Sequence, residues 1–151
     1  MKHCTIGFLG ITLMLACVSV PALADTPGRH PAYLHALSDL RYARALLDRP
    51  EEWHVARDQH AAIENIDKAI YELKNASWDD HKNPRDHPPI DAHWLRPRRI
   101  SRAIEVLHRA LHDIEKEEDN PAARAWRNNA IHYLRDSIAF SEKAARDEHR
   151  F

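Results

Sequence analysis

Two segments of this 151-residue chain, AIENIDKAIYELKNA at 62–76 and AIHYLRDSIAFSEKA at 130–144, align without a gap at an offset of 68. A second match precedes them: ALSDLRYA from Ala36 pairs with AIEVLHRA from Ala103 at an offset of 67. A repeat of this kind restricts the fold to one two-segment unit built twice, because neither copy alone covers its own apolar stripe. The turns Asp48-Arg49-Pro50 and Asp119-Asn120-Pro121 are 71 residues apart. The third segment is therefore about one turn longer than its counterpart, and the fourth nearly one turn shorter.

The repeated segments read as helices. After residue 24 glycine occurs once, at Gly28, and no run shows the strict alternation of a half-buried strand. Helices are expected over about 31–48, 51–76, 98–118 and 121–147. Leu34, Leu37, Leu40 and Leu47 line the first helix, and Ile63, Ile66, Ile70 and Leu73 the second. Ile100, Ala103, Ile104, Leu107, Leu111 and Ile114 line the third, and Trp126, Ala130, Ile131, Leu134 and Ile138 the fourth. The class is all-α, and the expected architecture is a four-helix bundle made of two duplicated αα-hairpins. Pro31 suits a first helical turn, and Glu51 and Glu52 complement the N-terminal dipole of helix two.

One segment has no counterpart in the repeat. The long Pro-rich connection 77–97 holds Pro84, Pro88, Pro89 and Pro97, which favour an extended path. Stretched, twenty residues reach roughly 65 Å, enough to run the whole bundle and dictate which faces of the hairpins meet. Trp78 and Trp94 bracket this strap and are expected to anchor its ends to the core.

The first 24 residues have a positive start at Lys2, an apolar run from Ile6 to Val20, Pro21, and small residues at Ala22 and Ala24. That layout is a cleaved secretory signal, with cleavage expected after Ala24 and a periplasmic or secreted mature chain of residues 25–151 forming one domain. The run is too short for a permanent membrane span. Leu15-Ala16-Cys17 gives a competing reading as a lipoprotein site, weakened by Met14 in place of leucine and by the apolar tail that would follow the lipid. Cys4, Cys17, Met1 and Met14 all lie in the leader, so the expected mature chain contains no sulfur and offers no disulfide, thiol nucleophile or soft metal ligand.

Loss of Lys2 takes 22 basic residues to 21 against 23 acidic ones, and the formal net charge from −1 to −2. That balance argues against electrostatic capture of nucleic acid or of an anionic membrane. Eleven of the 12 histidines remain after residue 24, so a pH-responsive surface is a further expectation from composition alone.

Histidine and aspartate are the available metal ligands. Within 79–94, DDHKNPRDHPPIDAHW supplies Asp79, Asp80, His81, Asp86, His87, Asp91 and His93, and prolines limit the entropy lost on ordering them. The segment meets no fixed ligand signature, and aspartates beside prolines also cap local backbone. His108 and His112, four apart on helix three, could hold Zn(II), Ni(II) or Cu(II), yet both lie about 100° or more from the apolar stripe and point to the flank or to solvent. His35 and His132 fall opposite their core faces too, and His60 sits at the edge of a stripe.

Glu51 to His54 and Glu105 to His108 share the Glu-x-x-His string of di-iron bundles, but Glu105 faces away from the stripe and Glu51 falls in a first turn, so a buried di-iron centre is not expected. Nor is haem, for want of a methionine or a core histidine. No Gly-x-Ser-x-Gly elbow and no phosphate-cradling glycine loop is present after residue 24, which argues against an enzyme. Arg96 to Arg102, RPRRISR, reads as an exposed approach to helix three that pairs with the strap's aspartates.

HPAYLHALSDLRYAR (30–44), KNPRDHPPIDAHW (82–94) and EEDNPAARAWRNNAI (117–131) together resemble a group of small exported bacterial helical proteins of unassigned function. The resemblance covers most of the mature chain and implies no functional residues. Small periplasmic histidine-rich metal-binding bundles are a looser comparison, because their regular histidine repeat is missing here. The leading expectation is a non-enzymatic periplasmic binding or stress-related accessory protein that grips an envelope protein across the strap and adjacent helix faces. The alternative is a divalent transition-metal binder using His81, His87, His93, Asp86 and Asp91, with His108 and His112 as a second surface pair.

Overall fold

The computed structural model describes residues 31–79, 84–85, 96–116 and 121–148. Those residues form four helices and no strand: α1 (Pro31–Leu47), α2 (Trp53–Asp79), α3 (Arg96–Lys116) and α4 (Arg124–Glu148). The proposed leader 1–24, with its cleavage point at Ala24 and the alternative at Cys17, lies outside the described residues.

Each helix buries two interleaved seven-residue series. One is small: Ala36 and Ala43 in α1, Ala62, Ala69 and Ala76 in α2, Ala103 and Ala110 in α3, then Ala130, Ser137 and Ala144 in α4, all fully buried. The other is mostly large: Tyr33, Leu40 and Leu47 in α1, Ile66 and Leu73 in α2, Ile100, Leu107 and Ile114 in α3. A seven-residue period keeps one seam facing a neighbour and gives a gentle left-handed supercoil. The alanines let the helix backbones approach, while the leucines and isoleucines fill the interior between them.

The small series meet one another across antiparallel helices. Ser137 Oγ donates to the Ala62 carbonyl of α2 at 3.0 Å in a buried contact. A hydroxyl one carbon from its backbone reaches a carbonyl of another helix only where the two helices nearly touch. Counting antiparallel steps of seven from this bond sets Ala69 opposite Ala130 and Ala76 opposite Ala123. In α1 and α3, Arg109 grips Asp39 and Arg99 meets Glu51, which also runs the two helices antiparallel.

These two seams, α2 with α4 and α1 with α3, are the most extensive in the bundle, whereas the consecutive pair α1 and α2 touches least. Neither α1 with α4 nor α2 with α3 makes contact, so those pairs sit on the diagonals of the bundle. The hairpins therefore close on each other through between-hairpin seams.

This arrangement sets where the end of α2 and the start of α3 lie. α2 descends from the α1–α2 turn, and α3 begins again beside that turn, where Arg99 reaches Glu51. The two helix ends joined by residues 80–95 accordingly lie at opposite ends of the bundle. Pro84, buried, accepts a hydrogen bond from Arg41 Nη2 at 2.6 Å, part-way along α1. Burial pushes the Arg41 guanidinium below its ordinary pKa.

Each seam also carries a charged pair. Arg44 donates to both oxygens of Asp67 at 2.7 and 3.2 Å between α1 and α2, and Arg109 to both oxygens of Asp39 at 2.6 and 2.8 Å between α1 and α3. Arg135 meets Glu115 at 2.8 Å between α3 and α4, and Lys143 meets the buried Asp58 between α4 and α2. Arg127 donates Nε to the Ile114 carbonyl at 3.0 Å and Nη2 to the Glu115 carbonyl at 2.8 Å. It thereby caps the α3 C-terminus, whose last carbonyls have no partner within the helix.

Several details differ from expectation. Glu52 precedes α2, its carbonyl accepting from the Val55 and Ala56 amides, and Glu51 is drawn into the interior against Arg99 instead of flanking a dipole. Arg99 thus pairs with the α1–α2 turn; the strap aspartates Asp80, Asp86 and Asp91 lie outside the described residues. A nearly dry carboxylate demands a cation, and desolvation in turn lowers the Arg99 pKa. α3 starts at Arg96, two residues early, because Pro97 falls in a first turn where its missing N–H costs nothing. α2 runs on to Asp79, three residues beyond the expected end.

Candidate functional site

α2 is the longest helix at 27 residues, and it touches α1 and α4 but not α3. Its inward side holds Val55, Gln59, Ala62, Ile66, Ala69, Leu73 and Ala76. Its outward side carries Trp53, Tyr71 and Trp78, which are 84 %, 64 % and 54 % exposed and are the exposed large hydrophobic residues among those described. Tyr71 is 18 positions and Trp78 is 25 positions after Trp53. At about 100° per residue, those offsets bring all three within about 20° of a single line along the helix.

Arg57, His60 and Glu64 occupy the line between Trp53 and Tyr71, all exposed. His60 Nε2 lies 3.3 Å from Glu64 Oε1, and the Trp53 ring meets His54 edge to face at 5.8 Å between centroids. The borders of the face are set by the neighbouring helices. Toward α1, Asp67 takes both hydrogen bonds from Arg44 and keeps its side chain half exposed; that contact is the first cause of the raised Arg44 pKa. Toward α4, the Lys68 ammonium sits 5.7 Å from the centre of the Tyr133 ring.

Trp78 corrects the expectation that it anchors the strap to the core. Because α2 continues through Asp79, Trp78 is held on the helix, one heptad after Tyr71 and turned outward with it. Trp94, the other expected anchor, lies outside the described residues. Neither Trp53 nor Tyr71 was singled out by core periodicity, since off-stripe aromatics leave no mark on the buried pattern. The available signal was their angular coincidence with Trp78 on α2.

Of the expected metal ligands, His81, His87, His93, Asp86 and Asp91 lie outside the described residues. His108 and His112 are exposed on α3, away from the core as their wheel positions implied. His108 Nε2 is 3.9 Å from Glu142 Oε1 on α4, beyond hydrogen-bond distance. Among the described residues no three His, Cys, Asp or Glu side chains converge as a metal site would require. No described helix is long and apolar enough to cross a membrane.

The chain matches no known family, no curated protein and no solved structure.

Proposed function

We propose that the protein is a non-enzymatic accessory protein of the cell envelope, exported by a leader at residues 1–24, that works by holding a protein against the outer face of α2. The observation that carries this reading is the alignment of Trp53, Tyr71 and Trp78. Apolar residues scattered singly over a surface need no explanation. Three large aromatics on one line of one helix, where the other large apolar side chains among the described residues pack against the core, leave roughly 300–500 Å² of aromatic surface in water. Aromatic side chains of this type dominate the energetic centres of protein interfaces.

The bundle behind that face is read as two copies of one hairpin, strapped together by the Pro-rich connection. Equivalent burial supports this: Ala36, Leu40 and Ala43 correspond to Ala103, Leu107 and Ala110, and Ala62, Ile66 and Ala76 to Ala130, Leu134 and Ala144. A photo-crosslinking amino acid placed at Trp53 in the exported protein tests the function. Discrete adducts with an envelope protein are expected; adducts no different from those formed from exposed Ala139 on α4 would overturn it.

The second reading is divalent-metal binding, for which the stacked His108 and His112 with Glu142 nearby are the described support. Calorimetry of tag-free residues 25–151 with Zn(II), Ni(II) and Cu(II) decides it. Stoichiometric binding tighter than about 10 μM, roughly −7 kcal/mol, is required, and its absence removes the reading.

A further inference from the structure

We propose that the bundle interior holds a water-binding site near the α1–α2 turn, in the layer of Leu47, Gln59, Ile100 and Ser141. Its basis is the pairing of the buried polar side chains. Seven polar or charged residues are buried among those described, and five of them have partners. Asp58 pairs with Lys143 and Arg99 with Glu51. Asn65 donates to the Ala61 carbonyl, Ser77 to the Leu73 carbonyl and Ser137 to the Ala62 carbonyl. The other two are Gln59, 3 % exposed, and Ser141, 0 % exposed. Gln59 Nε2 and Ser141 Oγ are buried with no hydrogen-bond partner among the described residues. An unpaired buried donor is costly, and a bridging water removes that cost.

The two unpaired groups fall in one layer. In the middle of the bundle Leu40, Ile66, Leu107 and Leu134 are all fully buried. The Ser137–Ala62 bond, the Arg109–Asp39 pair and the Arg127 bond to the Ile114 carbonyl set these four at one level to within a helical turn. A step of seven residues toward the α1–α2 turn along each helix reaches Leu47, Gln59, Ile100 and Ser141. α1 and α3 repeat a leucine and an isoleucine there, whereas α2 and α4 replace isoleucine and leucine by an amide and a hydroxyl. The layer is therefore half apolar and half polar, and the buried Glu51–Arg99 pair lies beyond it at the turn.

Size selects the ligand. Gln59 and Ser141 together have one non-hydrogen side-chain atom fewer than Ile66 and Leu134. A deficit of that size is close to the roughly 30 Å³ that a water molecule occupies in the liquid, and too small for a larger solute. The water accepts from Gln59 Nε2 and shares a hydrogen bond with Ser141 Oγ, which supplies the two polar partners that hold a buried water. The site stands independently of what the outer face of α2 binds.

A high-resolution crystal structure of residues 25–151 is the direct test. An ordered water within hydrogen-bond distance of both Gln59 Nε2 and Ser141 Oγ is expected. Either atom bonded to a protein group instead, or a dry layer, overturns the proposal. The double variant Gln59→Leu/Ser141→Leu tests it in solution, because it expels the water and adds back the missing atom. Tm should rise by about 5 °C. A layer already filled by protein would be overpacked by the second leucine, so a variant that melts at or below the wild type, or does not fold, overturns the proposal as well.

Discussion

Replacing Ala69 by leucine probes the packing on which the whole arrangement depends. Ala69 is fully buried on α2 and, in the register of the Ser137–Ala62 hydrogen bond, stands opposite Ala130 of α4. Leucine adds three carbons within the most extensive helix contact of the bundle, and neither helix can shift away without disturbing Ala62, Ser137 and the rest of the seam. Overpacking of a close-packed interior costs about 1–3 kcal/mol. With an unfolding entropy of about 2.1 cal/mol/K per residue and roughly 100 ordered residues, each kcal/mol corresponds to about 5 °C in Tm. Ala69→Leu should therefore melt about 5–15 °C below the wild type by circular dichroism. Ala139→Leu, the same change at an exposed site of α4, should shift Tm by no more than about 2 °C. If the two variants melt together, the alanine series does not set the helix spacing.

Removing the Arg127 side chain should leave the Ile114 and Glu115 carbonyls without their cap and lower stability by about 1–2 kcal/mol in urea, with Arg127→Lys recovering less than half because a single ammonium cannot span both acceptors; an unchanged midpoint in Arg127→Ala would contradict the capping role. Lys143 titrates above its ordinary value of 10.5, first because of its hydrogen bond to Asp58 and then because of that to Asp147. A raised folded-state pKa contributes stability that is fully present below the unfolded value and lost as pH rises through the folded one. The stability gap between wild type and Lys143→Gln should therefore be constant through neutral pH and narrow above about 10.5. A gap that holds its size in strong alkali would show that the ammonium charge is not what matters.

Much of the bundle was legible in the chain. The 3.6-residue period marks every helix, because an amphipathic helix announces its buried side residue by residue. Leu37, Leu40, Ile66, Leu73, Leu107, Ile114 and Leu134 are buried as that period implies. It also turns His108 and His112 outward, and the structure leaves both exposed. What the period under-weights is the alanines. Ala36, Ala43, Ala62, Ala69 and Ala76 contribute little hydrophobic contrast, yet all five are fully buried.

Local sequence thus determined the helical class and the side of each helix that faces inward. Only the tertiary structure decided that α1 packs on α3 and α2 on α4 more closely than either packs on its partner in sequence. It also decided that Glu51 is buried against Arg99 and that Trp78 stands in line with Trp53 and Tyr71 in water. The reason is physical: a stripe states which side of a helix avoids water, but the choice of neighbour depends on how closely two backbones can approach, and that is settled between surfaces distant in the chain.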